Sequence, residues 1–160
     1  MPTDKVYNGP GPRDAAVYMI SASVVRSFLL MEMKQQQYIP GVCNIGPAER
    51  KRRIFSGWIG LAATVVLEGL FLLVRAPAPW RLALFLPATG GATGFLQAAF
   101  HFCAAFGFGG VFNFGPDVGR TDTVMQAEFR RKDRTRALQI VALSAGIGVV
   151  VALAGYFSAG

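Results

Sequence analysis

Residues Ile54 to Val74 read IFSGWIGLAATVVLEGLFLLV, a run of 21 residues with one acid, Glu68, and no base. A helix rises about 1.5 Å per residue, so about 20 apolar residues cross a hydrocarbon core of about 30 Å. Arg50-Lys51-Arg52-Arg53 stands directly before the run and Arg75-Ala-Pro-Ala-Pro79 directly after it. The prolines end the helix, because each removes a donor and the residue before a proline avoids helical geometry. Trp80 follows at a level where tryptophan favours the membrane interface. This stretch predicts a membrane-spanning helix.

The rest of the chain agrees. Its 160 residues suffice for one domain. Hydrophobic residues make up 52% and charged residues 16%, against about 25% charged in soluble domains. Mean hydropathy is +0.40, which excludes a disordered chain. A second apolar run extends from Leu82 to about Phe108, with Pro87 in its first turns and Gly107, Gly109 and Gly110 expected to break it. A third covers Ala137 to Phe157. The expected fold is an all-α integral membrane protein with spans at about 54–74, 82–108 and 137–157. Residues 1–53 form a cytoplasmic or interfacial segment ahead of this transmembrane domain, and 109–136 form a basic loop. Within that loop 121–136 reads as a helix feeding the third span, with Asp122 as its cap and Glu128 paired with Lys132 at i,i+4.

Residues 15–33 carry Val17, Ile20, Val24, Phe28 and Met31 at helical spacing, with Arg26 near the middle. A fourth span here would sink Arg26 into lipid at about 2.5 to 3.5 kcal/mol. An amphipathic helix on the membrane surface avoids that cost and is the preferred reading.

Formal net charge is +7, and its placement decides its meaning. Arg50 to Arg53 and the block Arg130, Arg131, Lys132, Arg134 and Arg136 each abut an apolar run, as the positive-inside rule expects. Orientation follows: N-terminus and the 109–136 loop cytoplasmic, C-terminus outside. The same blocks suit anionic lipid headgroups and make nucleic acid an unneeded partner. Cys43 and Cys103 are too few for a structural zinc site or a disulfide scaffold, so two separate thiols are expected and no metal.

One motif recurs. Gly41-Val-Cys-Asn-Ile-Gly-Pro47 matches Gly110-Val-Phe-Asn-Phe-Gly-Pro116 at five of seven positions, so Cys43, Asn44, Gly46, Pro47, Asn113, Gly115 and Pro116 are candidate loop residues. Asn before Gly-Pro favours a tight turn with the Asn side chain bonded to backbone. Two readings stand: paired loops that hold a ligand or partner, or two similar turns in a glycine-rich chain. The stretch Val42-Cys-Asn-Ile-Gly-Pro-Ala-Glu49, followed by arginines and an apolar span, resembles a family of uncharacterised bacterial multi-span membrane proteins. The resemblance covers about residues 38–60, with a fainter echo in 102–115. It implies a bacterial inner membrane and no particular chemistry.

Three further features bear on function. Ser56, Gly60, Thr64 and Glu68 are spaced by four and share a helix face, so that face is expected to meet protein. Glu68 with Thr64 is a candidate intramembrane polar site, for proton or ion coupling or as a protonated acid bonded to a neighbouring helix. The nearest cation along the chain is Arg75. His101 is the sole histidine, which excludes bis-histidine haem within one chain. It stands among seven phenylalanines between 95 and 114, open to two readings: an axial ligand of haem or chlorophyll beside a quinone-like pocket, or a locally bonded residue near a helix end. Gly90-x-x-x-Gly94 and Ala142-x-x-x-Gly146 are small-residue faces for close helix packing, with Gly60 on the first span. No catalytic signature of hydrolases, nucleotide-binding loops or dithiol redox sites occurs. The expected function is a non-catalytic accessory or structural subunit of a larger membrane complex, bound to other subunits or to copies of itself. The alternatives are an electron-transfer subunit using His101 and a small transport component using Glu68. No cofactor is specified.

Overall fold

The computed structural model describes residues 38–158, so the 15–33 segment lies outside the described residues. The chain is mostly helical. Helix α1 spans Pro47–Leu73, α2 Ala78–Arg81, a 3-10 turn Leu82–Leu84, α3 Phe85–Ala99, α4 Ala104–Gly109 and α5 Ala127–Phe157. Two short strands, β1 (Val111–Phe112) and β2 (Asp122–Thr123), pair antiparallel with Val111 opposite Thr123 and Phe112 opposite Asp122. Among the described residues, three stretches are long and apolar enough to cross a membrane: Pro47–Leu73, Ala78–Ala99 and Ala127–Phe157.

The second span is the hub. Helix α3 packs against both α1 and α5, while α1 and α5 share no extended face. In its most apolar stretch α1 is 6% buried, against 39% for Ala78–Ala99. The apolar side chains of α1 and α5 point mostly outward: Phe55, Val65, Val66, Leu73, Val150 and Phe157 are all exposed. That inversion of the usual globular pattern is what a lipid solvent selects, since tails are as apolar as the side chains they meet.

Glycine sets the helix contacts. A methyl added at Gly94 would lie 2.5 Å from the Gly57 nitrogen, and one at Gly91 would lie 3.0 Å from the Leu61 nitrogen. The backbones of α1 and α3 are therefore in close contact, with no room for a side chain at Gly94. On α5 the inward stripe is Ala137, Ile140, Ser144, Gly148, Ala152 and Gly155, recurring every three or four residues as one helix face requires.

Several expectations need correction. Gly60 and Gly94 do pack, but among the described residues nothing lies within 4 Å of a methyl added at Gly90; its neighbour Gly91 makes the contact. Among the described residues Gly146 is equally open and Ala142 is exposed, so the glycines of α5 that pack within the chain are Gly148 and Gly155, and the Ala142–Gly146 face is left for contact outside it. The second span does not run to Phe108. It stops at Ala99, and His101 takes a left-handed backbone with φ 53° before α4 starts. The cause is non-local, because the His101 carbonyl accepts from the Asn44 and Ile45 amides at 3.1 and 3.3 Å. Asp122 caps no helix: it sits in β2, and α5 begins at Ala127 with no side-chain cap. Glu128 and Lys132 pair at 3.0 Å as their spacing predicts.

Candidate functional site: a clasp of two loops

At the end of the helices where α1 and α5 begin, the two motif copies lie side by side. Ile45 bridges Asn113 in parallel register, the Asn113 amide donates to the Asn44 carbonyl at 2.9 Å, and the Gly46 amide donates to the Asn113 carbonyl at 2.7 Å. Gly46 is a tight fit there, because a methyl on it would stand 3.0 Å from the Phe114 Cα. The leading glycines of both copies adopt the same left-handed geometry, φ 73° at Gly41 and 66° at Gly110, which glycine adopts at no steric cost. The repeat is thus a structural pair.

The two asparagines bond chiefly to backbone. Asn44 accepts from the Cys103 amide through Oδ1 at 2.6 Å and donates to the Cys103 carbonyl through Nδ2 at 3.1 Å. That double bond bridges the gap between α3 and α4. Asn113 closes its own turn, accepting from the Gly115 amide at 2.9 Å and donating to the Asp117 carbonyl at 2.9 Å. Both are fully buried, and buried amides with unmet bonds would be costly. Pro47 is the first residue of α1, where its missing N–H costs nothing. Pro47 and Pro116 are themselves exposed.

Two buried acids tie the copies crosswise. Glu49, just after the first copy, reaches the second loop: the Gly119 amide donates to its Oε1 at 2.6 Å and Asn113 Nδ2 to the same oxygen at 3.4 Å. Asp133, downstream of the second copy on α5, reaches the first. It accepts from the Tyr38 hydroxyl at 2.7 Å and the Gly41 amide at 2.7 Å. Glu49 is 1% exposed and Asp133 0%. Glu49 also faces Arg53 at 3.6 Å, and Arg53 Nη2 donates to Cys103 Sγ at 3.1 Å. Tyr38 stacks on Phe112 at 4.9 Å between ring centroids, over Val124 and Phe129. Burial first, then the Asp133 carboxylate beside it, raises the Tyr38 hydroxyl well above its ordinary value.

Neither cysteine forms a disulfide: Cys43 is half-buried and Cys103 buried. Burial also pushes the Cys43 thiol up, away from the thiolate that reacts. Among the described residues no group of three or more His, Cys, Asp and Glu side chains is placed to hold a metal.

His101 and Glu68 lie elsewhere, and the structure does not bring them together. His101 is exposed at the α3–α4 break and contributes its carbonyl to the clasp. Glu68 is half-buried near the opposite end of α1. Its partner is Arg81, where chain distance had pointed to Arg75: Arg81 Nη1 donates to Glu68 Oε1 at 3.2 Å and to Ser158 Oγ at 3.0 Å. Thr64 Oγ1 donates to the Gly60 carbonyl one turn back at 2.8 Å, and the Ser56 hydroxyl stays exposed on Arg53 O. Sequence reasoning missed Asp133, hidden in a basic block, and Arg81, which directly follows Trp80. The only signal for Asp133 was an acid among Arg130, Arg131, Lys132 and Arg134. Comparison with known proteins gives no matching family model, no matching curated protein and no matching solved structure.

Proposed function

We propose that this chain is a non-catalytic structural subunit of a membrane complex, with the clasp as the element that fixes its helices. One observation carries the reading. The repeated motif, the most distinctive sequence in the chain, buries both asparagines on backbone partners and leaves no side-chain amide to address a substrate. A Cys43 thiol that burial pushes up, away from the reactive thiolate, favours the same reading over an enzyme that uses this cysteine. The basic residues Arg50, Lys51, Arg52, Arg130, Arg131 and Lys132 all stand at the clasp end, which we place on the cytoplasmic side of a bacterial inner membrane, against anionic lipid.

Ala142 and Gly146 supply the surface for association with another subunit or a second copy, because both are exposed and, among the described residues, nothing lies within 4 Å of a methyl added at Gly146. A Cβ at Gly146 meets nothing within 4 Å among the described residues, so Gly146→Leu is the variant chosen to separate association from folding. Purification in mild detergent tests it: co-purifying chains or the homo-oligomer should be lost while the melting temperature of the monomer holds. Unchanged assembly in Gly146→Leu, or wild type that runs as a lone monomer, contradicts the proposal.

A further inference from the structure

At the end opposite the clasp, a groove opens between α1 and α5 over the floor of α3. Its wider part, about 580 Å³, is bounded by Val65, Leu72, Leu84 and Ala154, with Glu68 and Ser158 as its polar rim. It meets a narrower part of about 270 Å³ at Thr64 and Val151. There Ala88, Gly91 and Ala92 hollow the floor and Leu61 and Ile147 form the walls. The groove exists because α1 and α5 both pack on α3 and not on each other.

Behind the Glu68 rim, Arg81 completes an ion pair without itself lining the groove. Arg81, 4% exposed, holds Glu68 Oε1 and Ser158 Oγ. Glu68 Oε2 and Arg81 Nε are both buried with no hydrogen-bond partner among the described residues. Gly155 lets α5 approach this corner, since a methyl on it would lie 2.6 Å from Leu84 and 3.7 Å from Glu68 Oε2. The level is that of lipid headgroups: Trp80 is exposed beside Arg81, and Ser158 follows the last turn of α5. Water is scarce below this level, so an acceptor left bare by a hydrocarbon tail stays bare.

We propose that this groove binds a phospholipid with a primary-ammonium headgroup of the ethanolamine class, one acyl chain lying along α3. The ammonium donates to the Glu68 carboxylate, and the adjacent Arg81 charge suits the phosphate next to it in the headgroup. A zwitterion with a donor matches an acid–base pair with an unused acceptor. A choline headgroup has no N–H to donate, and a glycerol headgroup brings net negative charge toward Glu68 without a cation. This site is separate from the basic clasp end and independent of the structural-subunit reading.

The test is native mass spectrometry of the full chain, delipidated in detergent and titrated with phosphatidylethanolamine, phosphatidylcholine or phosphatidylglycerol. Wild type should retain one ethanolamine lipid about tenfold better than either other lipid, the size of one charge-assisted hydrogen bond. Glu68→Gln should abolish that preference, and Ala92→Leu, which fills the groove floor without touching Glu68, should weaken retention of all three. Equal retention of the three lipids by wild type overturns the proposal without any variant having to fold. So does preference that survives both substitutions. A wild-type dimer that Ala92→Leu converts to monomer, with lipid retention unchanged, would put a second chain in the groove and overturn it as well.

Discussion

Residue-scale chemistry in the clasp is set by side chains that replace missing backbone partners. Asn44 supplies one acceptor and one donor to Cys103, which sits where α3 has stopped and α4 has not begun. Asn44→Ala leaves that buried amide and carbonyl bare, at about 1–3 kcal/mol for each unpaired group. Thermal unfolding in detergent should show the loss, and an unchanged melting temperature would mean that the double bond contributes nothing. Tyr38 makes a pH-dependent contribution. Its folded-state value lies above the ordinary 10.0, so the unfolded chain releases this proton first. The stabilisation is complete below pH about 10 and falls as pH rises beyond it. In Tyr38→Phe the alkaline decline in stability should be shallower than in wild type, read by denaturant or thermal titration between pH 8 and about 11. Parallel declines would detach Tyr38 from it.

Among the elements, the helices are joined by absence of side chains. Gly57, Gly60, Gly91 and Gly94 bring α1 and α3 into backbone contact, and no bulky residue can be accommodated without pushing the helices apart. Gly94→Ala should cost about 1–3 kcal/mol or more through overpacking, while Gly90→Ala on the open face of the same helix should be close to neutral. Unfolding of the two variants in mixed micelles measures the difference, and equal stabilities would contradict the assigned contact face. The small-residue spacing was legible in the sequence, but its phase was not. Gly90 and Gly94 fit a four-residue repeat as well as Gly91 and Gly94 fit a three-residue one, and both repeats lie on a helix surface. Which glycine faces the neighbour depends on the rotation of the whole helix.

Over the whole molecule, the clasp compensates for the missing contact between α1 and α5. Glu49 ties α1 to the loop before α5, and Asp133 ties α5 to the loop before α1. Both helices must therefore start on the same side of the membrane. Single cysteines at Lys51 and Lys132, in a chain with Cys43 and Cys103 replaced by serine, should label from one side. A cysteine at Trp80 should label from the other. In sealed inverted vesicles the first two should be reached and the third not; the opposite pattern would reverse the proposed orientation, and labelling of Lys51 and Lys132 from different sides would break the clasp.

Apolar length and proline placement by themselves determined that three segments are long and apolar enough to cross a membrane, because a hydrocarbon core of fixed thickness imposes a local and countable requirement. Charge asymmetry at the span ends, equally local, determined which ends belong together. The recurrence of Gly-Val-x-Asn-x-Gly-Pro was visible too, although its pairing was one reading of two. Only the tertiary structure decided the rest. That the second span ends at Ala99, that Asp133 leaves a basic block to hold Gly41, and that Glu68 meets Arg81 instead of Arg75 each depend on partners 13 to 92 residues away. Hydropathy and propensity report what a residue prefers beside its chain neighbours, whereas a buried charge or a broken helix is fixed by whichever distant donor the packed fold brings within 3 Å.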